Sequence, residues 1–237
     1  MENHSYADVI GNPSAPYLNA LAKHGANLTS MYALTHPSQP NYVALFSGST
    51  HGVTDDVCPQ TLTGDNIGHQ LIARGLSFGA YSEGLPAVGS EVCNAGRYAR
   101  RHAPWTNFAN LHGTVSMPFT QFPTDFNRLP ALSFVVPDVQ DDMHDGTVAD
   151  GDAWLRSHVQ PYAAWAATHD SQLVVTWDED DKSADNHIPT IIVGAGIEAR
   201  TIATRLTLYS LLRYLEDRFG LVHLANAATA APLPLAT

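Results

Sequence analysis

Four short apolar runs, LSFGAYS (76–82), ALSFVVP (131–137), QLVVTW (172–177) and HIPTIIVG (187–194), constrain how this chain can fold. Each is too short for a buried helix and rich in β-branched, aromatic or aliphatic residues, so each reads as a strand. The two middle runs are almost continuously apolar, as strands are when helices cover both faces of a parallel sheet. Between the runs lie helical patterns at 16–24, 40–47, 65–74, 150–167 and 204–218. The last places Leu208, Leu211, Leu212 and Leu215 on one face and stops at Gly220. The alternation predicts an α/β fold built on a mostly parallel sheet with helices on both faces. A single domain is expected over 1–224, followed by an Ala/Pro-rich tail at 225–237 that frays. Residues 84–128, rich in Gly, Pro, Asn and aromatics, read as a long irregular insertion of a functional or mobile kind.

In open α/β sheets, ligands bind beyond the carboxyl ends of the strands. Two polar clusters fall there. PDVQDDMHDG, with Asp138, Asp141, Asp142, His144 and Asp145, follows the run at 131–137; DEDDKSADNH, with Asp178, Glu179 and His187, follows the run at 172–177. MENHSY at the start adds Glu2, Asn3 and His4, and THPSQPNYVALFSG adds His36, Ser38 and Asn41. Ser38 stands at the start of a helix, where backbone N–H groups favour an anion; this suits a nucleophile or a bound phosphoryl group, and equally an N-cap. Asp178 and Glu179 are adjacent acids after a buried strand, which a cation relieves unless both are solvated loop acids. Oxygen ligands point to a hard cation, Mg²⁺ or Ca²⁺, with zinc kept open by the nearby histidines. His144, among acids, is either an incidental loop residue or a ring held in one tautomer for proton transfer.

The formal net charge of −11 and the lack of a basic stripe argue against a nucleic-acid partner. No apolar run reaches the roughly 18 residues of a membrane span. Cys58 and Cys93 lie in polar loops and fit either one disulfide in an exported protein or two separate thiols.

Taken in order, MENHSY, THPSQPNYVALFSGST, VPDVQDDMHDG with GDAWL, VVTWDEDD with NHIPTIIVGAGI, and LYSLLRYLEDRFGL resemble the bacterial phosphoesterase family over residues 1 to about 221. That family, within the alkaline phosphatase superfamily, includes secreted acid phosphatases of the phosphatidylinositol 3-phosphatase kind and non-specific phospholipases C. The resemblance implies a doubly wound, alkaline-phosphatase-like sandwich and a metal-dependent phosphomonoesterase working through a phosphoserine intermediate. Ser38 would be the nucleophile, and Glu2, Asn3, Asp178 and Glu179 would hold a divalent metal ion. His144 and Asp145 would face the phosphate or leaving group; Asn41, Arg101, His102 and His187 would line the substrate pocket. The substrate would be a small phosphate ester, including phosphoinositide headgroups; phosphodiesterase or phospholipase C-type activity and an inactive truncated remnant are the alternatives. The resemblance also supports pairing Cys58 with Cys93 and a secreted or periplasmic location. Two departures stand out. Relatives carry a buried strand and a leader before this first motif, so the first strand is expected to be missing here, and Thr207 and Leu208 replace an Asp-His pair.

Overall fold

The computed structural model describes residues 1–235. In chain order it contains α1 (Tyr6–Val9), α2 (Pro16–His24), β1 (Ala26–Leu28), β2 (Met31–Tyr32), α3 (Ser38–Ser47), α4 (Ile67–Ala73) and β3 (Phe78–Ser82). There follow β4 (Asn94–Ala95), β5 (Tyr98–Ala99), β6 (Ser116–Pro118), β7 (Leu132–Val136), α5 (Val148–His158) and α6 (Gln160–Ala166). The last elements are β8 (Gln172–Thr176), β9 (Thr190–Gly194), β10 (Arg200–Ile202), β11 (Leu206–Thr207) and α7 (Leu208–Phe219). The fold is α/β, as the alternation predicts. The expected helix over 150–167 is two helices, because Pro161 cannot sit inside one and instead opens the second. The helix expected from 204 begins at Leu208, since Leu206 and Thr207 pair with β2.

The chain forms two compact units. One comprises, of the described residues, Met1–Leu34, Val139–Thr207 and 233–235; the other comprises Thr35–Asp138 and Leu208–Pro232. In the first, a four-stranded sheet runs β10-β1-β9-β8. β1 is parallel to β10 and antiparallel to β9, so this sheet is mixed. Asp152 of α5, itself buried, accepts the N–H groups of Tyr17 (3.1 Å) and Leu18 (2.8 Å) and so satisfies the start of α2, whose preceding residue is an alanine with no capping side chain.

In the second unit β3 lies between β6 and β7, parallel to both, and all five of its residues are buried. Phe46, Phe78, Phe108 and Phe134 pack around it edge-on and tilted, with ring centroids 5.5 to 6.2 Å apart. Helix α3 is buried on every side, and its low amphipathicity follows from that. It stops at Gly48 (φ 75°), where a Cβ would collide with the Leu224 carbonyl; glycine alone satisfies both the angle and the space. The tail does not fray there: Ala225–Ala228 forms a 3₁₀ turn, and Asn226 donates from its side chain to the Gly48 carbonyl (2.9 Å). Cys58 and Cys93 form a disulfide. Among the described residues, no helix is long and apolar enough to cross a membrane.

Helix α7 carries a fully buried carboxyl, Glu216. Its Oε1 accepts the Leu224 N–H (2.9 Å), while Oε2 meets no hydrogen-bond partner. Burial pushes its pKa up to about 7 from the usual 4.5; Asp217 adds to the rise, and the Leu224 N–H and Arg213 oppose it. Because the folded value lies above the unfolded one, the stabilisation is complete below pH 4.5 and is lost as pH rises through 7. The loss amounts to at most about 3 kcal/mol, taking about 1.4 kcal/mol per pH unit. Urea denaturation is expected to give a Glu216→Gln variant that matches wild type at pH 4.5 and exceeds it at pH 8. Equal wild-type and variant stabilities at pH 8 would refute this assignment.

Candidate active site

In the first unit the N-terminal segment runs beside the end of β8. The Met1 ammonium donates to the Thr176 carbonyl (3.2 Å), Asp178 N–H donates to the Met1 carbonyl (3.1 Å), and Glu2 N–H donates to the Asp142 carbonyl (2.8 Å). These bonds gather Glu2 (0 % exposed), Asp142 (0 %), Asp178 (5 %) and Glu179 (4 %). The Glu2 and Asp142 carboxylates offer oxygens within 4.8 Å of each other. Asp178 and Glu179 are therefore not solvated loop acids. Asn3 joins them with a buried Oδ1 that has no hydrogen-bond partner.

The backbone here is strained. Asn3 (φ 45°) and Met143 (φ 83°) occupy the left-handed region, which a buried methionine rarely adopts. Met143 packs against Gly151 of α5, where any Cβ would collide with its side chain. The paired Glu2 and Asp142 carboxylates, with the buried acids Asp178 and Glu179 on the adjoining segment, are oxygen donors of the kind a hard divalent cation takes. Both cysteines are in the disulfide, so no thiolate contributes. Asp142 is the member that sequence reasoning did not single out. Its neighbours Asp138, Asp141 and Asp145 look alike in sequence, and only its burial and its bond to Glu2 separate it.

His144 follows directly. Its N–H donates to Asp142 Oδ1 (2.8 Å), and its Nδ1 lies 2.7 Å from Asp145 Oδ1. A carboxylate at that distance favours the tautomer in which Nδ1–H donates to Asp145. His187 is held differently. Its ring stacks between Tyr6 (4.9 Å) and Tyr32 (5.0 Å), its Nε2 meets the Thr29 carbonyl (3.0 Å), and Arg205 covers the far face of Tyr32 (3.6 Å). Its carbonyl also accepts the Tyr6 N–H (2.8 Å), so His187 braces the segment that carries Glu2 and Asn3.

In the second unit Ser38 is the first residue of α3, and Pro37, in extended conformation, occupies the cap position. The alternative in which Ser38 is merely the N-cap does not hold. Asn41 braces the turn that leads into Ser38: its Oδ1 accepts the Thr35 N–H (3.2 Å), and its Nδ2 donates to the carbonyls of Thr35 (2.8 Å) and Pro37 (3.4 Å). Gln39, unremarkable in sequence, ties the helix start to the disulfide loop. Its N–H donates to Asp56 Oδ1 (2.9 Å), and its Nε2 donates to the carbonyls of Asp55 and Val57 (3.0 Å each). His102 stacks on Tyr42 of the same helix (5.3 Å), with Arg101 beside it in a 3₁₀ turn. Arg100 is a clamp instead, donating to the Glu91 carbonyl (2.6 Å) and to Thr106.

Residues 11–222 match the Phosphoesterase family. A phosphatidylinositol-3-phosphatase of Mycobacterium tuberculosis is 48 % identical over 98 % of this chain and 79 % of its own length.

The chain belongs to the Phosphoesterase family.

An acid phosphatase of Aspergillus fumigatus is 28 % identical over 95 % of this phosphoesterase, which spans 55 % of the fungal protein. Among solved structures, an alkaline phosphatase superfamily protein from Vibrio parahaemolyticus superposes with a TM-score of 0.69 at 14 % identity. That superposition covers 98 % of this chain and 69 % of the other, and it agrees with the alkaline-phosphatase-like fold implied by the motifs. By family, then, this phosphoesterase is a phosphoric ester hydrolase.

Proposed function

We propose that the chain is a metal-dependent phosphomonoesterase of the acid-phosphatase type. What supports this is the close pair of buried Glu2 and Asp142 carboxylates, with buried Asp178 and Glu179 and the partnerless Asn3 Oδ1 on the same segments; together they would make an oxygen cradle for a hard divalent cation. When bound, the cation supplies the positive charge that eases deprotonation of a serine hydroxyl and stabilises charge on phosphoryl oxygens.

Ser38 acts as the nucleophile. Its Oγ bonds to phosphorus as the ester P–O bond breaks, and the alcohol leaves with a proton; water then cleaves the Oγ–P bond and releases phosphate. The first N–H groups of α3, a ten-residue helix, favour negative charge at that point. Asn41 and Gln39 hold the hydroxyl's backbone in place. His144, held by Asp145, serves as the proton donor to the leaving oxygen. Arg101 and His102 contact the substrate, and His187 acts through Tyr6 to hold the cradle. The mycobacterial relative's name extends the substrate range to phosphoinositide headgroups, and the disulfide favours a secreted or periplasmic location.

Steady-state hydrolysis of p-nitrophenyl phosphate and bis-p-nitrophenyl phosphate tests the monoester assignment. The monoester is expected to react with a kcat/KM at least about 100-fold higher, equivalent to nearly 3 kcal/mol of transition-state discrimination. Faster diester cleavage would assign a phosphodiesterase.

A further inference from the structure

In the second unit, the segment that follows α7 forms a strap over the end of α3. The chain first passes Gly220, whose carbonyl accepts from Arg74, and Val222, whose N–H donates to Gln70 Oε1 (3.1 Å). Glu216 Oε1 then accepts the Leu224 N–H (2.9 Å), and farther on Arg213 donates to the carbonyls of Ala228 (3.4 Å) and Ala230 (2.8 Å). Two side chains of α7 therefore hold the strap, residues 221–230, at two points. Between them Asn226 donates from its N–H (3.0 Å) and its Nδ2 (2.9 Å) to the carbonyl of Gly48, where α3 stops. These bonds satisfy a carbonyl that the helix end leaves open. The helix closed in this way is the one that begins at Ser38.

The two holds differ in kind. Arg213 keeps its charge at any pH at which the chain folds. Glu216 can lose a proton, yet it is 0 % exposed and its Oε2 meets no partner. A neutral acid tolerates that site, whereas a carboxylate there carries a buried charge with one oxygen bare. We infer that Glu216 is a pH-sensitive latch: as the neutral acid it keeps the strap on the end of α3, and as the carboxylate it lets the strap open to reach water. The surrounding groups do not cancel the new charge. On α7, Asp217 opposes ionisation of Glu216 and Arg213 favours it, though Arg213 also lies 3.9 Å from Asp217. On the strap, His223 is engaged with Asp217 (2.6 Å). Helix α3 brings no charged residue, only the phenol of Tyr42. Beside α4, Arg74 is engaged with the Gly220 carbonyl and His69 with Asp65 (2.7 Å). The Tyr209 hydroxyl bonds to the Asn226 side chain. The latch stands on the strap alone and holds whether or not Ser38 is the nucleophile.

Hydrogen exchange of wild type, Glu216→Gln and His223→Gln at pH 5 and pH 8, corrected for intrinsic amide rates, tests the latch. From pH 5 to pH 8 the Leu224, Asn226 and Ala227 amides of wild type are expected to lose protection about tenfold or more. Linkage allows up to about tenfold per pH unit between the open-state value of 4.5 and the closed-state value of about 7. At pH 8 these amides should exchange ahead of those of β3, which marks opening of the strap rather than unfolding of the unit. Glu216→Gln, neutral throughout, should keep the same protection at both pH values, and His223→Gln should lose it as wild type does. Unchanged protection in wild type, a loss that persists in Glu216→Gln, or strap amides that exchange only together with β3 would overturn the latch. A loss that disappears in His223→Gln would overturn it too, by assigning the effect to the pair with Asp217. If Glu216→Gln does not fold, the carboxyl ¹³C shift of Glu216 in wild type decides. A midpoint that coincides with strap opening upholds the latch, and a separate one overturns it.

Discussion

Ser38→Ala is expected to lower kcat by about 10³–10⁶-fold, the range seen when a serine nucleophile is removed from a preorganised site. At 1.36 kcal/mol per tenfold, the upper end corresponds to about 8 kcal/mol of lost transition-state stabilisation. The fold should barely register the change. Pro37 occupies the cap, so no capping side chain is deleted, and alanine suits the first turn of a helix. A thermal midpoint within a few degrees of wild type, together with the lost turnover, separates chemistry from collapse. Mass spectrometry of acid-quenched wild type during turnover should find a phosphoryl group on the peptide carrying Ser38 and none in the variant. A variant retaining a tenth of wild-type activity would remove Ser38 from the mechanism.

Stripping divalent ions is expected to abolish hydrolysis and to lower thermal stability. Added cation should restore both. A ligand at 100 times its dissociation constant stabilises the folded state by about 2.7 kcal/mol. Asp178→Asn should reverse part of this pattern. In chelator the variant is expected to be at least as stable as wild type, because it buries one carboxylate fewer in a segment that already buries Glu179. With cation present, wild type gains stability and the variant does not. Thermal denaturation read with and without cation checks this crossing independently of catalysis. If chelation changes neither the midpoint nor turnover, the cradle is not a cation site.

What was legible in the sequence follows physical lines. The runs that became β3, β7, β8 and β9 declared themselves, because long apolar strands carry their own signal. β1, β2, β10 and β11 did not. Each is only two or three residues, and its strand character comes from distant partners, as when Ala26 pairs with both Ile192 and Arg200. Ser38, Asn41, Glu2, Asn3, Asp178 and Glu179 stood out as residue types in motifs. Asp142 was hidden among similar acids, Gln39 in an ordinary helix start, and the Tyr6–His187–Tyr32 stack in residues far apart along the chain. Burial and partnership, which no local pattern encodes, distinguish them.

The interleaving of segments has a consequence for biosynthesis. Residues 1–3 are made well before the residues that hold them, Asp142, Thr176 and Asp178. β1 likewise waits for β9 and β10. At roughly 5–20 residues per second, the N-terminal segment of the cradle stays unanchored for on the order of ten seconds or more after it emerges. Throughout that interval β1 and the cradle segment lack the partners that order them in the folded chain.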